Sequence, residues 1–178
     1  MIVALAGRRI DAMDTKQHRF PLQNVGLVRE RLLQMLKSEA VTVLVCSAAC
    51  GADLIALSVA GSLGLRRRIV LPFERERFRT TSVVDRPGNW GPIYDQILDE
   101  VEASSNLVVI PKALEEEAYS ATNRVILEEA IAIATEIDEP ISTCMVWNGV
   151  SRGENDLTER FGIEARKRGL AVIERMTL

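Results

Sequence analysis

The residues best suited to chemistry stand just after apolar runs. Gly7-Arg8-Arg9 follows Ile2 to Ala6, and Ser47-Ala-Ala-Cys-Gly-Ala-Asp53 follows Val41 to Cys46. Pro72-Phe73, Pro111-Lys112 and Asn148-Gly149 follow three more such runs. Arginine forks bind phosphate through paired N–H groups, and glycine lets a backbone come close to a ligand. A loop of small residues opening a helix presents free N–H groups and the positive end of the helix dipole to an anion. Lys16, His18 and Arg19 extend the first loop, so a basic rim is expected at one mouth of the protein. The chemistry these residues suggest is anion binding. Arg8 would hold a phosphate, and the Ser47 to Ala52 turn would donate backbone N–H groups.

The remaining candidates each carry two roles. Asp53 falls in a first helical turn, where it either caps the helix or contacts a ribose or a basic residue of the first loop. Asn123 can cap a helix or hydrogen-bond a base or ribose. Asp156 and Glu159 read as N-terminal capping carboxylates, or else as a general acid/base pair near a glycosidic bond. Cys50 is either a small residue filling a tight turn or a thiol whose pKa falls at a helix start. Trp90, within the irregular stretch Thr80 to Gly91, is either core packing or a lid over the site. Neither the G-x-G-x-x-G nor the G-x-x-x-x-G-K-[ST] spacing occurs, which argues against a dinucleotide-dependent dehydrogenase and a P-loop nucleotidase. His18 is the sole histidine and the cysteines Cys46, Cys50 and Cys144 lack zinc spacing, so neither a metal nor another cofactor is expected.

The elements that must position these residues alternate between strand and helix. Strands are predicted at Ile2 to Ala6, Val41 to Cys46, Arg68 to Leu71, Asn106 to Ile110, Ile141 to Trp147 and Leu170 to Ile173. Val25, Val28, Leu32 and Leu36 recur at helical spacing, which predicts a helix over Asn24 to Lys37. Further helices are predicted over Ala52 to Leu63, Pro92 to Glu102, Ala121 to Glu136 and Asp156 to Arg168, with a short exposed one from Glu74 to Arg79. Such alternation makes an α/β fold: a single doubly wound three-layer sandwich around a mostly parallel sheet of about six strands. One domain spanning residues 1–178 is expected, since no linker, repeat or low-complexity segment divides it. Ligands of such sheets bind at the carboxyl ends of the strands, where the strand order reverses. Arg66-Arg67-Arg68 precedes a strand and reads as a solvated turn at the opposite edge.

With 47% hydrophobic and 26% charged residues the composition is that of a water-soluble globular domain. A net charge of −3 and 4% aromatic content argue against a general nucleic-acid binder. No apolar run reaches membrane-spanning length and the first strand begins at Ile2, so a cytoplasmic protein is expected.

Gly7-Arg8-Arg9, Arg19-Phe20-Pro21, Ala49-Cys-Gly-Ala-Asp53, Leu71-Pro72-Phe73 with Phe78, and Trp147-Asn148-Gly149 occur in that order. This series resembles the SLOG superfamily of Rossmann-like domains, which includes DprA and the Lonely Guy phosphoribohydrolases. The resemblance covers nearly the whole chain. It implies binding or sensing of a nucleotide or nucleotide-derived small molecule, in a bacterial signalling, stress or defence context, with a homo-oligomer and an effector protein as partners. It also implies that Gly7, Arg8, Ser47, Gly51, Ala52 and Asp53 line the pocket, with Asn148 and Gly149 on its other side. The phosphoribohydrolases carry Pro-Gly-Gly-x-Gly-Thr-x-x-Glu, where this chain reads Arg152-Gly-Glu-Asn-Asp-Leu-Thr158. Glu154 and Asp156 place negative charge where a phosphate would rest, so the resemblance favours binding over catalysis. The alternative is a nucleotide N-glycoside hydrolase or deoxyribosyltransferase-like enzyme using Asp53, Asp156 or Glu159.

Overall fold

The computed structural model describes residues 1–111 and 117–178; Lys112, expected at a strand end, lies outside them. Six parallel strands form one sheet: β1 (Ile2–Gly7), β2 (Val43–Cys46), β3 (Arg66–Leu71), β4 (Leu107–Val109), β5 (Ile141–Trp147) and β6 (Val172–Met176). Their order across the sheet is β4-β3-β2-β1-β5-β6. Among the described residues six α-helices connect them: α1 (Val25–Ser38), α2 (Ala52–Ser62), α3 (Arg75–Ser82), α4 (Trp90–Ala103), α5 (Ala118–Ile137) and α6 (Leu157–Lys167). This is an α/β Rossmann-like fold.

Strand side chains alternate between faces, and the alternation builds two cores. Val3 and Leu5 of β1, Leu44 of β2 and Val146 of β5 face α1, α2 and α4. Ile2 and Ala4, Val45 and Met145 face α5 and α6. The central strands are apolar on both faces, as a doubly covered parallel sheet requires. The helix α2 runs between α1 and α4 and is buried around most of its circumference, from Ala52 to Ala60.

Beyond shifts of one to three residues at other element ends, three readings differ from the sequence-based expectation. Arg66-Arg67-Arg68 is not a turn. It opens β3, where Arg67 pairs with Glu100 at 2.6 Å and Arg68 with Glu129 at 2.8 Å, so strand backbone is kept and the charges are matched by flanking helices. The last strand starts later than Leu170, because Leu170 N–H still closes the end of α6 on Ala165 O; pairing with β5 runs from Val172 to Met176. Trp90 is no lid. It opens α4, lies 5% exposed in the core and donates Nε1–H to Pro87 O at 2.8 Å. Among the described residues, no helix is long and apolar enough to cross a membrane.

Candidate functional site

Strand order reverses at β1, whose neighbours β2 and β5 send their following helices to opposite faces of the sheet. The loops part there, and a cavity of about 480 Å³ opens over the strand ends. Of the residues that the sequence singled out, Gly7, Arg8, Arg9, Ser47, Ala49, Asp53 and Asn123 line it; Gly51, Ala52, Pro72, Phe73, Asn148 and Gly149 do not. Pro72 is buried in the fold, and Phe73 contributes indirectly, standing edge-on to Tyr119, which does line the cavity.

Arg8 departs from its expected role. It is 3% exposed, and each nitrogen of its guanidinium donates within the protein. Nη1 and Nη2 fork onto the two carboxylate oxygens of Asp156 at 2.6 Å each, Nη2 also meets Val150 O at 2.8 Å, and Nε reaches Asn148 Oδ1 at 3.2 Å. The group also lies over the Trp147 ring. A guanidinium held this way ties β1 to the segment after β5 and has little left to offer a phosphate. Asn148 is occupied by that contact, while Gly149 lies exposed beside Met176.

Asp156 is correspondingly not a catalytic acid. Beyond Arg8, it accepts from the N–H groups of Arg152, Thr158 and Glu159 at 2.8 to 3.2 Å, capping α6 and closing the turn before it. Burial opposes its charge, but the Arg8 fork and these N–H groups outweigh it and hold the carboxyl at about 2. A group so low cannot hold a proton near neutrality. Glu159 binds Ser151 Oγ in the first turn of α6 and lies outside the cavity lining.

The turn between β2 and α2 is also not an open anion cradle. Ala49 N–H donates to Asp53 Oδ2 at 3.2 Å, Cys50 N–H to Ser82 O at 3.0 Å and Ala52 N–H to Arg8 O at 3.1 Å. The first loop lies over the helix start and takes the Ala52 N–H, while the end of α3 takes that of Cys50, and Gly51 and Ala52 are buried. Cys50 is buried as well, and burial raises its thiol pKa, which makes it packing and not a nucleophile.

Positive charge reaches the cavity by another route. Arg9 and Arg19 from the β1–α1 segment, Arg86 from the turn before α4, and Arg152 from the turn before α6 all line it. Arg9 pairs with Asp85, and Arg86 lies 3.5 Å from the same carboxylate. Arg19 donates to Gln17 at 2.8 Å and has no carboxylate partner among the described residues. Arg152 sits 3.8 Å from Asp156, which Arg8 already occupies. The Nε atoms of Arg9, Arg19 and Arg86 are buried without a hydrogen bond. Burial, then the charges of Arg8, Arg19 and Arg86, push the Arg152 pKa down despite Asp156. These arginines therefore repel one another across shared space. Lys16 and His18 are exposed and lie outside the lining. Sequence reasoning passed over Arg86, Arg152 and Tyr119, since nothing in their local sequence says which way their turns fold.

Beside the arginines the cavity is lined by polar side chains. Asn123 donates Nδ2–H to Leu157 O at 2.8 Å, and Tyr119 shares a 3.0 Å hydrogen bond with Ser82. Ser47 Oγ is buried with no partner. Asp53 is 7% exposed, and burial pushes its carboxyl up to about 7, against the Ala49 N–H and the charge of Arg9. Among the described residues no three His, Cys, Asp or Glu side chains group as metal ligands would.

No family model matches the chain, and no curated protein matches it. Among solved structures, it is similar to the DNA processing protein A (DprA) from Streptococcus pneumoniae, with 15% identity and a TM-score of 0.44. The similarity covers 97% of this chain and 58% of that one.

Proposed function

We propose that the cavity binds a phosphate-bearing small molecule, nucleotide-derived, with the phosphate among Arg9, Arg19, Arg86 and Arg152. One observation carries this: four arginines converge on one cavity of about 480 Å³ with fewer carboxylates than charges, and three have a buried Nε–H outside any hydrogen bond, that of Arg86 lying 3.5 Å from Asp85. Unpaired buried donors cost free energy, and a dianion accepting from them would relieve both that cost and the mutual repulsion. The acidic turn before α6 does not oppose this, because Arg8 neutralises Asp156 and Glu154 is exposed.

The test is thermal unfolding with pyrophosphate, ribose 5-phosphate and nucleoside 5′-phosphates. A ligand at one hundred times its Kd adds about 2.7 kcal/mol, which raises Tm by roughly 5–10 °C in a chain of this size. Arg19→Gln and Arg152→Gln should each weaken binding about 10- to 100-fold, the loss of one charge-assisted hydrogen bond. If no phosphate compound shifts Tm, the proposal fails.

A second function, N-glycoside hydrolysis, is favoured by Asp53 alone: a carboxyl near 7 inside the cavity can hold and release a proton at neutral pH. It predicts release of free base from a nucleoside 5′-monophosphate, abolished by Asp53→Asn and detected by chromatography. Binding without base release would exclude it.

A further inference from the structure

The cavity is lined by two polar side chains with unused hydrogen-bonding capacity. Asp53, at the start of α2, takes a single hydrogen bond, from Ala49 N–H to Oδ2, and its Oδ1 has no partner among the described residues. Ser47, at the end of β2, has a buried Oγ with no partner. Both line the same cavity as Tyr119, whose ring is the aromatic surface there. A buried carboxyl with one donor is poorly paired compared with Asp156, which accepts from a guanidinium fork and three N–H groups. We propose that Asp53 reads the ligand's heterocycle in its neutral form, donating from one oxygen to a ring nitrogen and accepting from the adjacent exocyclic amino group. Adenine and cytosine present that acceptor–donor pair; guanine's edge, with two adjacent donors, suits an ionised carboxylate instead.

The electrostatics of the cavity favour the neutral form once a ligand is bound. The titratable groups around Asp53 are Cys46 on β2, Cys50 in its own turn, Arg9 and Asp11 from the β1–α1 segment, and Tyr119 on α5. Burial keeps both thiols neutral, so Arg9 is the cation that favours an ionised Asp53. A phosphate on Arg9 and its neighbours cancels that charge and adds negative charge of its own. Asp53 therefore takes up a proton from solvent as the ligand binds wherever it starts out ionised, a fraction that grows as pH rises through about 7, and affinity is linked to pH.

This inference rests on the cavity being the phosphate site, and the measurement separates the two. Affinities of adenosine and cytidine 5′-monophosphates are measured by calorimetry from pH 6 to pH 8, each as a ratio to ribose 5-phosphate. The ratio cancels the titration of the phosphate itself. The expected result is a base-dependent advantage at pH 6 that falls by up to about tenfold by pH 8, with proton uptake seen as a dependence of heat on buffer. Asp53→Asn, whose amide always offers one donor and one acceptor, should keep the advantage and remove its pH dependence. Asp53→Ala should lose the advantage at every pH. Binding of ribose 5-phosphate with no added affinity for either nucleotide, or an advantage independent of pH in the unaltered protein, overturns the role of Asp53 and leaves the phosphate site standing. Failure of all three compounds to bind overturns both.

Discussion

Two aspartates begin the two helices that flank the central strand, and the protein treats them in opposite ways. Asp53 follows β2 and Asp156 follows β5; both are buried and both sit where a helix dipole favours negative charge. Asp156 is saturated with donors and stays ionised to about 2, whereas Asp53 has one donor and rises to about 7. Helix position is common to both, so it does not set the protonation state. Burial pushes both carboxyls up, and the hydrogen bonds that oppose it differ: Arg8 crosses from β1 to Asp156, leaving Asp53 with Ala49 N–H and the charge of Arg9. One aspartate locks the fold and the other remains available to a ligand.

The largest effect should come from breaking the saturated side. Asp156→Ala leaves the Arg8 guanidinium buried without its partner and uncaps α6, at a cost of about 3–5 kcal/mol in urea unfolding. Asp156→Asn keeps a capping oxygen and should recover part of that loss. The starved side predicts the reverse. A carboxyl raised to about 7 when folded binds its proton more tightly in the native state, so stability falls as pH rises from about 4 to 7, by up to about 1.4 kcal/mol per unit. Asp53→Asn removes that penalty and should stabilise the protein at pH 8 by roughly 2–4 kcal/mol, with no gain at pH 4. Asp156, lowered when folded, contributes stability above the ordinary carboxylate range that is lost as pH falls toward 2. A parent whose stability does not decline between pH 4 and pH 7, or an Asn variant no more stable at pH 8, would break the contrast.

The fold was legible because its signal is local. Alternating apolar runs and 3.6-residue spacing placed all six strands and the five long helices, and Ile141–Trp147 matched residue for residue. The sequence also pointed to the edge of the sheet where the cavity opens, since that follows from strand direction. The division of labour within the site was not legible. Arg8 and Asp156 lie 148 residues apart, and nothing near either one announces the other. The open helix start expected after β2 is covered by carbonyls of Arg8 and Ser82, which arrive only when the β1–α1 segment and the end of α3 fold over it. Arg86 and Arg152 stand in turns whose direction depends on long-range packing, and the high pKa of Asp53 comes from burial that no motif encodes.

The turns leading into the two aspartates provide the smallest and sharpest test. Gly51 has φ +100° and Gly153 φ +92°, a backbone region that side chains rarely adopt. They differ in surroundings: a Cβ on Gly51 would stand 2.8 Å from Arg8 O and 2.9 Å from Ile10 N, while one on Gly153 would meet nothing within 4 Å. Gly153→Ala should therefore cost only the backbone strain, about 1 kcal/mol. Gly51→Ala adds a collision with backbone that cannot swing aside, so its cost should rise to about 2–3 kcal/mol. The extra loss should come with displacement of the β1–α1 segment, because the colliding atoms belong to it. That segment carries Arg9 and Arg19, so Gly51→Ala should also weaken phosphate binding, and Gly153→Ala less so. Equal effects of the two substitutions on stability and on binding would mean that the first loop does not rest on the turn before α2. The close packing that deprives a ligand of the helix N–H groups would then not be what directs the arginines into the cavity.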